Sequence, residues 1–168
     1  MQNVLMPRHA PATLAAGVHA VSGVSSSFPD APVAVAHSDD QFMAMLAAYR
    51  TGGGLARAPE VFALFKRCSG ADVGTLAGWI VNRKVICFDW QSRMWLPLFQ
   101  FNRLDMMPQA GLRRVLEALT QRFSPWALAQ WFAQPNPWLA DQSPCDALGQ
   151  DPPAVLRAAC AEVPPLTH

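Results

Sequence analysis

Beyond residue 38, apolar residues recur at three- and four-residue spacing through most of the chain, which predicts a succession of short helices. Ser38 or Asp39 caps the first, which runs to Arg50 with Phe42, Met45, Leu46 and Tyr49 on one face. Gly52-Gly53-Gly54 ends it and predicts a hinge. Ala58-Pro59-Glu60 opens a second helix to Arg67, because Pro suits a first turn, and Val61, Phe62, Leu64 and Phe65 form its apolar face. Ser69-Gly70 breaks it, and a third helix spans Ala71 to Asn82 with Val73, Leu76, Ala77 and Ile80 inward. Two short helices around a tight Gly-containing turn draw a helix-turn-helix outline. The period then changes. Val85–Phe88 and Met94–Phe99 are β-prone runs flanking Asp89-Trp90-Gln91-Ser92, which predicts a hairpin, and Pro97, having no N–H, belongs on an edge.

The remainder is helical again. Pro108 precedes a helix to Arg122 with Leu112, Val115, Leu116 and Leu119 inward. Ser124-Pro125, Ser143-Pro144 and Asp151-Pro152 each set a capping side chain before a Pro at the first helical position, where a missing N–H costs nothing. They predict sharply bounded helices over 124–134, 143–149 and 152–162.

The expected architecture is mainly α. It comprises a flexible arm over residues 1–37, a short helix and Gly hinge over 38–54, a degenerate winged helix-turn-helix with a small β-hairpin over 55–104, and a C-terminal bundle of short helices over 105–168. The arm is rich in Ala, Val, Ser and Pro with almost no charge and no sustained period. Composition adds that half the chain is apolar and that six Trp and nine Phe supply large packing units. No apolar run approaches the roughly 20 residues of a membrane span, and the N-terminus lacks an export-signal pattern, so a cytoplasmic protein is expected.

Formal charge is +1, but it is unevenly spread. Residues 50–122 hold eleven Lys and Arg against five acids, between acidic flanks. A basic middle suits nucleic acid, an acidic partner or simply solvent. Lys66, Arg67, Arg83, Lys84 and Arg93 are the candidates for phosphate contact in a winged helix-turn-helix, with Arg93 at the wing. Cationic residues that complement helix C-termini give the plainer account. The would-be recognition helix, Asp72 to Trp79, lacks the Arg, Asn and Gln that read base edges.

Catalytic patterns are missing. There is no phosphate-binding Gly loop with a following Lys-Ser/Thr and no HExxH, and the four His stand at positions 9, 19, 37 and 168. The close carboxylates, Asp39-Asp40 and Asp141 with Asp146, sit at helix edges where capping explains them. Cys68, Cys87, Cys145 and Cys160 form no CxxC pair, which predicts reduced thiols and no metal site. A protein that is not an enzyme and needs no cofactor follows.

The most informative stretch is Trp126-Ala127-Leu128-Ala129-Gln130-Trp131-Phe132 followed by Gln134-Pro135-Asn136-Pro137-Trp138-Leu139. Pro135 and Pro137 bracket Asn136 and hold the loop extended, because each Pro pushes its predecessor out of the helical region. Trp138-Leu139 then present an apolar pair at the end of a rigid loop, fit either for an interface hot spot or for the chain's own core.

This stretch resembles the toxin-binding domain of the Xre/MbcA/ParS-type antitoxins. Their W-A-L-x-x-W-like helix is matched by Trp126 to Phe132 and their P-N-P-x-L element by Pro135 to Leu139. Their [ST]-P-x-[DE]-L-L turn is matched by Ser143 to Leu148, and their V-L-x-A-A helix by Val155 to Ala159. Similarity extends over roughly residues 58 to 160, through Leu96 to Phe101 and the Gly111 to Leu116 helix, and is most specific in the last 40. Members commonly carry two Gly after P-N-P-x-L, where this chain has Ala140-Asp141-Gln142, and Gly149 replaces a second Leu or a polar residue. Segment 58–99 is similar to the excisionase-like segment of some members.

The resemblance implies a type II antitoxin that binds and sterically neutralises a cognate toxin, typically a RES-domain protein that consumes NAD. It implies homodimerisation and, for Asn136, Pro137, Trp138, Leu139, Ser143, Pro144, Leu148, Val155 and Ala158, a partner-facing role. Two other functions stay open: a DNA-binding transcription regulator using the basic 66–93 region, and an antitoxin-derived adaptor that binds another protein.

Overall fold

The computed structural model describes residues 36–162. The expected arm therefore lies outside the described residues, apart from its last two. The chain is mainly helical, with a small antiparallel sheet. In order, α1 is Asp39–Ala48, β1 Leu55–Arg57, α2 Ala58–Ser69, α3 Val73–Val81, β2 Phe88–Trp90 and β3 Arg93–Pro97. They are followed by α4 Leu112–Leu119, α5 Pro125–Ala133, α6 Pro144–Ala147 and α7 Pro152–Glu162, with single 3-10 turns at Leu98–Gln100 and Pro137–Leu139.

The sheet, in strand order β1-β3-β2, divides two cores. Successive side chains of a strand point to opposite faces. Leu55, Phe88, Trp90 and Trp95 accordingly join one core, and Ala56 and Leu96 the other. The smaller core gathers Val61 and Phe65 of α2 with Leu76 of α3, Phe101 and Met106. The larger gathers α1, α4, α5, α6 and α7 around Leu116, Phe132, Leu148 and Val155.

Helix starts follow the caps. Ser38 and Gln41 form a reciprocal capping box on α1, and Ser124 Oγ accepts from Ala127 N at 3.2 Å. Asp151 Oδ1 accepts from Ala154 N at 3.0 Å. Ser143 departs from this pattern: its hydroxyl donates to Asp146 Oδ2 at 2.7 Å and caps no backbone N–H.

Other elements also depart from expectation. β1 has no signal in the sequence, because a three-residue strand after three glycines carries no period. The hairpin turn is Gln91-Ser92, both at positive φ, while Asp89 and Trp90 belong to β2. Pro97 lies in the central strand, not an edge strand. It is tolerated as the last ladder residue, opposite Leu55 and past the end of β2. Leu98 N donates towards β1, to Gly54 O, so by alternation the N–H that Pro97 lacks would face the open side. The helix expected from Pro108 begins only at Leu112, since Pro108 bridges to Phe101 and Gly111 turns the chain at φ 84°.

The glycine triplet, expected as a hinge, is a tight turn. Gly52 N and Gly54 N both donate to Tyr49 O, and a Cβ on Gly52 would stand 2.6 Å from Phe99 Cβ. Tyr49 itself is buried, with its hydroxyl donating to Ala129 O of α5 at 2.6 Å. The α1 segment is thus built into the helical core, and residues 36–162 lie within one compact unit.

Burial gives the fold an alkaline limit. The Cys87 and Cys145 thiols are pushed up to about 11, and the Tyr49 hydroxyl well above its ordinary value, chiefly by desolvation. The unfolded chain would release these protons first. Their contribution is therefore whole well below about pH 8.5, where an unfolded thiol is half-ionised, and falls as pH rises towards 11. Urea midpoints should drop across that window, and less steeply for Cys145→Ala than for the native chain. An equal drop in both would refute the assignment for Cys145.

Candidate partner-binding surface

α5 ends because Gln134 precedes Pro135 and is extended, at φ −90° and ψ 148°. Asn136 then organises the loop. Its N–H donates to Gln142 O, its carbonyl accepts from Leu139 N and Asp141 N, and its Oδ1 accepts from Trp138 N at 2.9 Å. At 4% exposure, it is a buried polar hub whose backbone groups and Oδ1 are satisfied inside the loop. Pro137 opens the 3-10 turn, and Leu139 is buried and pins the turn to the core. Trp138, between them, is 69% exposed. The loop therefore holds one large aromatic side chain in solvent on a backbone fixed at both ends.

Ala140 and Asp141 close this loop at φ 52° and 62°, the left-handed region that β-carbons disfavour. Ala140→Gly should relieve that cost. A gain of about 1 kcal/mol, seen as a rise of about 2–4 °C in Tm, is expected in a chain of this size. A fall in Tm would mean that the turn is not held in this conformation.

The structure sorts the expected partner-facing residues sharply. Pro137 and Trp138 are exposed, and Ser143 is half-buried. Asn136, Leu139, Pro144, Leu148, Val155 and Ala158 are buried and cannot present their side chains to a partner. Leu148, Val155 and Ala158 sit in the larger core, where α7 packs on α4 and on the 137–139 turn. Their part is to support the loop. The residues that α7 does expose are Pro153, Arg157, Cys160, Ala161 and Glu162. The four-residue step from Pro153 to Arg157 and the three-residue step to Cys160 were the signal for this outward stripe.

The α6 corner is tied to the glycine turn. Asp146 accepts from Ser143 Oγ through Oδ2 and from Thr51 Oγ1 through Oδ1, at 2.7 and 2.9 Å.

The basic candidates do not gather into one patch. Arg83, at φ 52°, donates through Nη1 to Thr120 O at 2.6 Å and through Nη2 to Phe123 O at 2.8 Å. Those carbonyls follow the C-terminus of α4, so the guanidinium offsets that helix's negative end and bolts the two halves together. Its guanidinium is thus engaged by backbone carbonyls. Lys66 and Arg67 are exposed near the end of α2, whereas Arg93 lines a cleft with Arg57 and Glu60 at its start. The twelve residues of α2 set these ends about 16 Å apart along the axis. Lys84 is exposed beyond α3, whose exposed residues Val73, Gly74, Thr75 and Val81 offer no guanidinium or amide fork. Arg83→Ala should lower stability by about 1.5–3 kcal/mol, read from denaturant midpoints, because two charged hydrogen bonds are lost. Unchanged stability would refute the bolt.

Among the described residues, no group of three His, Cys, Asp or Glu is placed to hold a metal ion, and no helix is long and apolar enough to cross a membrane. No family model, no curated protein and no solved structure matches the chain.

Proposed function

We propose that this protein is a cytoplasmic antitoxin that binds a cognate toxin and blocks it sterically, with Trp138 as the anchor. The observation that carries this reading is the 69% exposure of Trp138 on a loop whose neighbouring residues Asn136 and Leu139 are buried. Large aromatic side chains held rigidly in solvent are what interface hot spots are made of, since little conformational entropy is lost when they are covered. The fold has packed its other five tryptophans at least partly inside.

The antitoxin resemblance gains support from Ala140 and Asp141. They stand where that family commonly carries two Gly, and both adopt the conformation that Gly favours. The winged helix-turn-helix part of the reading is supported by element order, helix–strand–helix–helix–strand–strand, with strand order β1-β3-β2. Gly70, at φ 61°, makes the tight turn between α2 and α3. We read this half as a scaffold that kept the outline without the base-reading side chains. In the complex, the toxin would be a NAD-consuming RES-type protein, and the antitoxin a homodimer.

Co-expression with the product of the adjacent reading frame tests the proposal. That product alone should arrest growth and deplete NAD, and the present chain should restore both. An adjacent product that is harmless, or that arrests cells equally with this chain present, would refute the antitoxin reading. Binding of the chain to duplex DNA with a steep salt dependence, in place of any protein complex, would favour the regulator.

A further inference from the structure

One cavity has no lining residue from the Trp138 loop. It is about 330 Å3 in volume and opens between the C-terminal half of α2, the glycine turn and residues 98–106. Its floor is apolar, made by Leu64, Leu98, Phe101 and Met106. Two arginines, Arg67 and Arg103, line it, and no Asp or Glu does. Among the described residues neither arginine forms an ion pair; the pairs present are Arg57–Glu60 and Arg113–Glu117.

The loop that carries Arg103 is built firmly. Asn102 N donates to Met107 O and Met106 N to Asn102 O, both at 2.8 Å, while Asn102 and Asp105 side chains accept from Leu104 N and Met107 N. Met106 is a non-glycine residue at φ 57°, yet 6% exposed. Left-handed backbone at a side chain of this size is costly, and here it belongs to a buried residue that lines the cavity. An adjoining polar cleft of about 290 Å3 shares Gly52, Phe101 and Arg103 with this cavity. Its one carboxylate, Asp146, is already engaged by Thr51 and Ser143. Among the described residues, neither Arg67 nor Arg103 has a carboxylate partner.

We propose that this cavity binds a small amphipathic anion, a carboxylate joined to an aromatic or aliphatic body. The body would cover the Leu64–Phe101–Met106 floor, and the carboxylate would take the forked donors of Arg67 and Arg103, whose planar geometry matches two oxygens. A bare phosphate would leave the floor wet, and an uncharged hydrocarbon would leave the guanidinium groups unused. Charge and apolar surface together select the class.

The test uses the full chain with 13C-methyl methionine and 4-phenylbutyrate as the probe, followed by NMR. The Met106 methyl should shift on titration with a Kd of about 0.1–1 mM, as expected for a fragment of this size. Met43 and Met94, exposed elsewhere, should stay still. The uncharged analogue 4-phenylbutan-1-ol should bind about tenfold more weakly, and Arg67→Gln or Arg103→Gln should each weaken the acid by about tenfold. Both arginines are exposed, so these variants should keep the native thermal transition. Trp138→Ala should bind the probe as the native chain does, separating this site from the partner surface. An unmoved Met106, equal affinity for the alcohol, insensitivity to both arginine variants, or equal shifts at Met43 and Met94 would overturn the assignment.

Discussion

Trp138→Ala is expected to weaken the complex with the partner by about 30- to 1000-fold, or about 2–4 kcal/mol, with Tm within about 2 °C of the native value. The two halves of this result have separate causes. Side chains that protrude into solvent contribute little to folding, and surface substitutions usually stay within about 0.5 kcal/mol. The Trp138 backbone N–H bond to Asn136 survives truncation, so the loop keeps its shape. In a complex, by contrast, an indole that is covered loses all its water at once, and its removal leaves a hole in the partner's surface. Isothermal titration beside differential scanning calorimetry reads both quantities. A variant that loses Tm as well as affinity would mean that Trp138 supports the fold, and an unchanged affinity would remove it from the interface.

Phe132→Ala carries the largest expected effect on stability, a loss of about 3–5 kcal/mol. Phe132 is wholly buried on α5, 4.9 Å from the Trp131 ring and 5.4 Å from that of Phe99, between centroids. Phe99 in turn stacks on Tyr49 at 5.5 Å and abuts Gly52. Removing the ring thus opens a cavity where α5, the glycine turn and the 98–100 turn meet, three segments that cannot all collapse to fill it. Typical domains hold only about 5–15 kcal/mol, so Tm should fall by about 10 °C. A loss below about 1 kcal/mol would contradict a core shared by the early and late segments.

Local chemistry made much of this fold legible in the sequence. The caps at Ser38, Ser124 and Asp151, with Pro125 and Pro152 behind the last two, place α1, α5 and α7 within a residue or two. What spacing could not show is where a helix goes once formed. Phe42, Met45 and Tyr49 mark an apolar face, but only tertiary packing puts that face on α5 and turns the expected hinge into a corner. The candidate site divides the same way. The Pro-Asn-Pro frame announced a rigid loop, yet adjacent Trp138 and Leu139 look alike by hydrophobicity, and one is exposed while the other is buried. Leu148, Val155 and Ala158 read as interface by resemblance because an apolar face fit to meet a partner is equally what the core needs. Arg83 was legible only as a charge, since its partners, Thr120 and Phe123, lie 37 and 40 residues on.

Hydrogen–deuterium exchange on the chain alone and in complex with the adjacent gene's product tests most directly whether the 134–142 loop is the partner surface. Strong protection confined to that loop and the outer face of α7, and abolished with the complex by Trp138→Ala, is the predicted result. Protection centred instead on α3, Arg93 and the hairpin, with the Trp138 loop still exchanging freely, would contradict it.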